Sequence, residues 1–443
     1  MHDIKRRTFL KGSGLTAGAA ATGAFTTWSR RVMGANEKVR LGFIGCGGIT
    51  KAHFEALAEV PTSEVIAACD VDEGRVGQMV KLATERHGRP PQSHTDFRKL
   101  LENKDVDAVV VASPDHWHGL HTVYSCQAGK DVYVEKPISH NVVEGRAMVK
   151  AATRYERVVQ VGTQQRSNKH YHDVIDYVRS GKLGPIAEVQ TWNHYNRDGE
   201  PLPPDGEPPA GVDYDMWLGP APRRAFNSKR FHGSWRYFRD YGGGYITDWN
   251  THHQDIVHQA MNVWSPKSVV MDGYVAIKDR DMADTARVMF EYEAAQGPFL
   301  STYTVRRLSS RAIDFTLTHS DHGIAFFGKE GTLVVTRSGW DVLPEDKKNK
   351  PRSEKGENKM APHFANFVDA IKSRAKPTSD IETMHLSTLV NQIANISWFV
   401  GRKLYWDAKK ESLFADAALK RPDGEANKFL GRQHRAPWKL PKV

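Results

Sequence analysis

A chain of 443 residues with 40% hydrophobic and 26% charged side chains is long enough for two cored domains and excludes an intrinsically disordered polypeptide. The formal charge of +10 hints at nucleic acid, but the first 35 residues hold six Lys/Arg against one Asp, so half of the excess sits there and the remainder is too dilute for a nucleic-acid footprint. Cys46, Cys69 and Cys126 show neither metal-ligand nor disulfide-framework spacing, so no metal is expected and the chain reads as one that folds in a reducing compartment.

Lys5-Arg6-Arg7-Thr8-Phe9-Leu10-Lys11 precedes a small-residue, mildly apolar run over 12–25 and then Arg30-Arg31. That run is too short and too rich in alanine and glycine to span a bilayer. The stretch 1–35 resembles a twin-arginine export signal with cleavage near Ala35, which implies a periplasmic or otherwise extracytoplasmic protein.

From Val39 to Asp70 the sequence reads apolar strand, glycine-rich turn, helix, and a second apolar strand ending on an acid. This is the opening βαβ unit of a dinucleotide-binding domain. Gly45 allows the tight turn, while Gly47 and Gly48 lack a Cβ, so backbone and Ile49 can close on a pyrophosphate at the helix N-terminus. Asp70 lies where a carboxylate accepts hydrogen bonds from the adenosine ribose. Its charge repels a 2′-phosphate and favours NAD over NADP, although Arg75 is close enough in sequence to meet a phosphate. The third fingerprint position is Thr50 rather than glycine or alanine.

A helix over 73–87, a short helix over 96–101 and a continuous apolar strand over 106–112 follow, the last implying a parallel sheet covered on both faces. Ser113-Pro114-Asp115-His116-Trp117-His118 takes the chain off the carboxyl edge of that sheet, where ligands of open α/β sheets bind, and a helix is expected over 120–129. The strand over 131–134 ends in Glu135-Lys136-Pro137, so the Lys136 ammonium is placed to reach a bound cofactor's reactive end and stabilise alkoxide charge. A helix over 142–156 and a strand to Gly162 complete a doubly wound sheet.

Beyond residue 162 the pattern changes to a helix over 170–180, an alternating strand over 186–192 and strands over 268–277, 285–292, 299–306 and 312–318. Gly-Lys-Glu-Gly at 328–331 joins two more, giving a largely antiparallel sheet in a second, α+β domain. Residues 347–359 read as a charged, mobile loop, and amphipathic helices over 362–374 and 382–403 close the pattern. The domains expected are therefore 36–162 and 163–443, after the 1–35 leader.

The second chemical constellation is Gly242-Gly243-Gly244 followed by Asp248-Trp249-Asn250-Thr251-His252-His253-Gln254-Asp255. On one continuous helix Asp248, His252 and Asp255 share a face. Oxidising an alcohol with NAD requires a base, and His252 with the Asp248 carboxylate beside it meets that need. His253 and His258 point elsewhere and read as structural.

With I-G-C-G-G at 44–48, S-P-D-H-W-H at 113–118, E-K-P at 135–137, W-L-G-P at 217–220 and D-W-N-T-H-H-Q-D at 248–255, the chain resembles the Gfo/Idh/MocA oxidoreductase family. The resemblance implies a Rossmann domain joined to an open-faced sheet domain, with sheet faces used for oligomerisation as a dimer or tetramer. It implies Lys136, Asp248 and His252 as catalytic residues. It also implies that Gly45, Gly47, Gly48, Ile49, Asp70, Arg75, Ser113, Pro114, His118 and Glu135 lie toward the cofactor. By position Trp117, Arg166, Trp235, Arg236 and Asp255 are expected in the substrate cleft. Members act mostly on sugars, cyclitols and glycosides with NAD(P), and Arg and Trp side chains suit such ligands because they pair with hydroxyls and stack on ring faces.

The expectation is an exported oxidoreductase that carries a tightly held NAD, loaded before export and recycled by a second substrate. Two alternatives remain: a redox-assisted glycosidase, and a non-catalytic sugar-binding protein with a structural nucleotide. No nucleic-acid partner and no stable membrane insertion are expected.

Overall fold

The computed structural model describes residues 37–196, 201–310 and 320–443. The export leader and the strand expected over 312–318 lie outside the described residues.

Six parallel strands form the first sheet: β1 (Val39–Ile44), β2 (Ser63–Cys69), β3 (Gln92–His94), β4 (Ala108–Val111), β5 (Asp131–Val134) and β6 (Val159–Val161). Their order is 3-2-1-4-5-6, so the winding reverses between β1 and β4 and opens a crevice at the carboxyl ends of these two strands. Every residue of β4 and β5 is buried, which is why both read as unbroken apolar runs. Helix Glu73–His87 starts where the Asp72 carboxylate accepts from the Gly74 and Arg75 amides and stops at left-handed Gly88.

One helix departs from expectation. It spans Asp115–Gln127 with Pro114 as its N-cap, so Asp115–His118 of the S-P-D-H-W-H motif form its first turn instead of an exit loop. Proline at this point sacrifices no helical hydrogen bond.

The second sheet has ten strands: β7 (Ile186–His194), β8 (Ser268–Tyr274), β9 (Thr285–Ala294), β10 (Gly297–Arg306), β11 (His322–Gly328), β12 (Gly331–Thr336), β13 (Gly339–Pro344), β14 (Arg352–Lys355), β15 (Leu404–Asp407) and β16 (Ser412–Phe414). All its pairings are antiparallel except β7 with β10. Burial alternates along β9 and β10 because helices cover a single face. The covering helices are Lys169–Arg179, Asn250–Met261 and Ile381–Val400, whose Val174, Ile256, Val257, Val390 and Ile393 share one apolar core with the strands. The stretch 347–359, read as a mobile loop, contains the exposed edge strand β14 paired to β13.

The two sheets are tied together by later parts of the chain. Helix Ala361–Ser373 returns to the first sheet, where Phe364 stacks on Tyr133 of β5 at 4.4 Å between ring centres. Arg432 and His434 both reach the buried Glu144 carboxylate, at 2.7 and 2.9 Å. Trp438 packs edge-on to Trp117, 4.7 Å away. Among the described residues no helix is long and apolar enough to cross a membrane.

Candidate active site

At the β1/β4 crevice lies a cavity of about 350 Å³. Gly45 turns with φ +93°, and a Cβ there would stand 2.6 Å from the Ser113 amide nitrogen, so the turn itself demands glycine. Gly47 and Gly48 are different. A Cβ on Gly48 would meet no atom within 4 Å, and one on Gly47 would meet only the Arg75 guanidinium at 3.3 Å. Helix Gly48–Ala58 begins there without a side-chain cap, so its first amides face the cavity unpaired by any side chain. An open cradle of helix-terminal amides fits a pyrophosphate. Thr50 fills the third fingerprint position by donating its hydroxyl back to the Gly45 carbonyl at 3.3 Å.

Asp70 accepts from the Cys46 amide at 2.7 Å and the Asp72 amide at 3.1 Å, which fixes its carboxylate at the cavity wall. Arg75 donates to His232 at 3.3 Å rather than projecting freely. The remaining residues expected toward the cofactor, Ile49, Ser113, Pro114, His118 and Glu135, also line this cavity. His118 sits between two carbonyls, Pro137 of the E-K-P turn at 2.8 Å from Nδ1 and Ser113 at the end of β4 at 2.7 Å from Nε2, and donates to one of them. Glu135 pairs with the buried His53 ring at 2.8 Å. Burial pushes the Glu135 carboxyl up, but His53 and Lys136 outweigh it and hold it below its ordinary range.

A second cavity of about 560 Å³ adjoins the first, and Lys136 and Arg236 line both. Lys136 Nζ donates to Asp248 Oδ1 at 2.7 Å and to the Asp248 carbonyl at 3.1 Å. Arg236, stacked on Trp235 at 4.3 Å, adds a donor to the same oxygen at 3.2 Å. Burial raises the Asp248 carboxyl, yet the two cations beside it prevail and bring it to about 2. His252 lines the same cavity with Nδ1 unpartnered among the described residues, and burial with nearby Lys136 and Arg337 keeps its ring neutral well below the ordinary histidine range.

The placements expected for five residues are corrected: Asp248, Arg166, Asp255, Trp117 and Trp235. Asp248 does not pair with His252, because the helix breaks at Trp249 into Gly244–Asp248 and Asn250–Met261 and the carboxylate turns to Lys136 and Arg236. Arg166 and Asp255, expected in a substrate cleft, line neither of these two cavities. They form a buried ion pair, Nε to Oδ2 2.7 Å, completed by Ser387 and Thr383. Trp117, expected in a substrate cleft, lines the first cavity instead, locked by a hydrogen bond to the Trp217 carbonyl at 3.0 Å. A Cβ on Gly219 would stand 2.1 Å from its ring, which explains the glycine of W-L-G-P. Trp235 also lines the first cavity and not the second.

The sequence reading passed over Asp115, which burial pushes well above the carboxylate range, and Tyr237, Tyr245, Arg307 and Arg337 in the second cavity. Asp115 had a signal, since an acid after Ser-Pro at a strand end marks a helix start. Arg307 and Arg337 directly follow strands and Tyr237 closes a short 3-10 turn, none of them in a motif, whereas Tyr245 lies within the glycine-rich 242–255 stretch but was given no role there.

The 3-2-1-4-5-6 sheet with its open glycine turn is the architecture of a Rossmann dinucleotide-binding domain. Residues 39–163 match the description "Oxidoreductase family, NAD-binding Rossmann fold" and residues 185–299 "Oxidoreductase family, C-terminal alpha/beta domain", together more than half of the 443 residues. The chain belongs to the Gfo/Idh/MocA oxidoreductase family. Residues 3–23 match the twin-arginine translocation signal, so the protein is marked for export.

An α-N-acetylgalactosaminidase of Shewanella oneidensis is 27% identical over 206 residues, 42% of this chain and 45% of that protein. An inositol 2-dehydrogenase of Salmonella typhimurium is 28% identical over 160 residues, 36% of this chain and 46% of that protein. The matched stretch thus spans under half the length of either relative. A solved WlbA dehydrogenase from Bordetella pertussis, in complex with NADH and UDP-GlcNAcA, shares the fold with TM-score 0.63 at 20% identity, covering 84% of this chain and 99% of that one.

Proposed function

We propose that the protein is an exported, NAD-linked oxidoreductase that moves hydride between nicotinamide and a secondary alcohol of a sugar, glycoside or cyclitol. In this reading residues 36–162 form the nucleotide half and 163–443 the substrate and oligomerisation half. The observation that carries it is the Lys136–Asp248 contact of 2.7 Å, which joins the end of β5 to the histidine-bearing segment at the junction of two cavities.

Gly45, Gly47, Gly48 and Ile49 would hold the pyrophosphate side of a dinucleotide, and Asp70 the adenosine ribose, with its charge favouring NAD over NADP. Bound there, the dinucleotide supplies the hydride acceptor or donor. Lys136 donates a hydrogen bond to the reacting oxygen and stabilises charge as it develops there. Asp248, itself held by the Arg236 guanidinium, keeps the ammonium in place. His252, neutral in its buried setting, takes the hydroxyl proton in oxidation and returns it in reduction.

Lys136→Met and His252→Ala are expected to lower kcat by about 10²–10⁴ while NAD affinity stays within about threefold. Full turnover in both variants would refute the assignment. Export outside the compartment that supplies NAD favours a cofactor retained through the cycle, so mass spectrometry of denatured, freshly purified protein should release one nucleotide. Nucleotide-free protein with weak NAD affinity would refute retention.

The similarity to a glycosidase supports a second reading. In it transient oxidation of a ring hydroxyl acidifies the adjacent C–H and permits elimination of the glycosidic group. Solvent deuterium in the sugar product without net NADH would select that reading.

A further inference from the structure

Where the two cavities adjoin, three acids meet two cations. Glu135, Lys136 and Arg236 line both cavities, Asp115 the first alone and Asp248 the second alone. Glu135 is paired with His53, and Asp248 takes both cations, Lys136 at 2.7 Å and Arg236 at 3.2 Å. Asp115 is the acid that the proposed mechanism does not use.

Asp115 opens helix Asp115–Gln127 directly after Pro114 and is 3% exposed. Its carboxyl accepts from its own amide, and Lys136 and Arg236 act on it without an ion-pair contact, both having turned to Asp248. Two buried carboxylates that compete for the same cations do not share them equally: the one in contact keeps its charge and the other keeps its proton. Burial, reinforced by the Asp248 charge, accordingly pushes the Asp115 carboxyl well above the carboxylate range, against the pull of Arg236, Lys136 and its own amide.

A neutral carboxyl differs from a carboxylate in what it can bind. It presents an O–H donor and a C=O acceptor side by side, the complement of a carboxamide, whereas a carboxylate only accepts. The first cavity is lined by Asp70, proposed for the adenosine ribose, and by Lys136, proposed for the reacting oxygen; Asp115, with Lys136 and Arg236 as its electrostatic neighbours, belongs to the second of these ends.

We propose that Asp115 holds the carboxamide of the nicotinamide, its carboxyl donating to the carboxamide oxygen and accepting from the carboxamide nitrogen. This deepens the oxidoreductase reading and rests on it for the placement of the nicotinamide beside Lys136. Asp115 moves no proton in the reaction. Its part is orientation, since a ring held at its carboxamide turns one fixed face toward the second cavity.

The test equilibrates the full-length protein with equimolar NAD and ADP-ribose, which lacks the nicotinamide, and quantifies the bound nucleotides by mass spectrometry. Acetylpyridine adenine dinucleotide, which lacks the carboxamide nitrogen, competes with NAD in the same way. The parent is expected to favour NAD over each competitor. Asp115→Ala should cut both preferences about tenfold while affinity for ADP-ribose stays within about threefold. Asp115→Asn, whose side chain offers a donor and an acceptor in the same places, should keep both preferences within about threefold of the parent's. Preferences unchanged in Asp115→Ala would overturn the proposal, and so would an equal loss in Asp115→Asn, because the side chain would then act through a charge. Equal binding of NAD and the acetylpyridine analogue by the parent would also overturn it, which decides the matter even if a variant fails to fold. Carboxamide-dependent preferences in a protein that forms no NADH with any sugar or cyclitol would refute the oxidoreductase reading and leave this one standing. NADH formation with preferences unmoved by Asp115→Ala would do the reverse.

Discussion

Asp248→Asn removes the one carboxylate that serves both Lys136 and Arg236. In the folded protein that carboxyl sits at about 2 instead of its ordinary 3.8, because the two cations outweigh the burial that would raise it. At about 1.36 kcal/mol per pH unit the difference is worth about 2 kcal/mol of stability at neutral pH. The sign follows from the depressed value. The contribution is complete above the unfolded carboxyl's range, declines as pH falls, and is gone once pH passes below the folded value. Asparagine has no such titration, so the unfolding free energies of parent and variant should differ by at least about 2 kcal/mol at pH 7 and by roughly half as much at pH 3. Leaving two cations without a buried counter-charge can enlarge the neutral-pH loss to about 3–5 kcal/mol. Urea unfolding followed by tryptophan fluorescence at pH 7, 5 and 3 measures the gap directly. A gap that stays constant with pH, or none at pH 7, would refute the reasoning that this pair is the electrostatic link at the cavity junction.

Gly48→Ala should leave stability unchanged or raise it by up to about 1 kcal/mol, since its Cβ meets nothing, yet weaken NAD binding about tenfold or more in a fluorescence titration. Gly45→Ala, at φ +93° and against the Ser113 amide, should destabilise by about 1–3 kcal/mol in thermal unfolding with or without nucleotide. Arg166→Ala breaks a buried ion pair and should lower unfolding free energy by about 3–5 kcal/mol without a selective rise in KM; a selective KM effect in a fully stable protein would return Arg166 to the substrate cleft. Asp70→Ser should weaken NAD, because Cys46 and Asp72 lose their acceptor, and shift the NADP-to-NAD affinity ratio upward by about tenfold in parallel titrations.

The first sheet was legible because strands buried on both faces leave uninterrupted apolar runs such as Ala108–Val111. β3 and β14 were not, since Gln92–His94 and Arg352–Lys355 are polar edge strands whose pairing is dictated by neighbours. Lys136 could be read from its place at a strand end. Its partner could not, because Lys136 and Asp248 are 112 positions apart and the break at Trp249 has no proline or glycine to announce it. Arg166 and Asp255 looked functional because charged residues near a cleft resemble ligands of it. Their burial against helix Ile381–Val400 is a tertiary fact that local spacing does not encode.

The return of Arg432, His434 and Trp438 to Glu144 and Trp117 has a consequence for biogenesis. Residues translated late finish the packing around a cradle translated early, so a nascent chain still on the ribosome lacks a settled nucleotide pocket. On the proposed reading, loading of a dinucleotide would then be a post-synthetic event, and a passenger that acquired it would already be shaped for a translocase that accepts folded cargo.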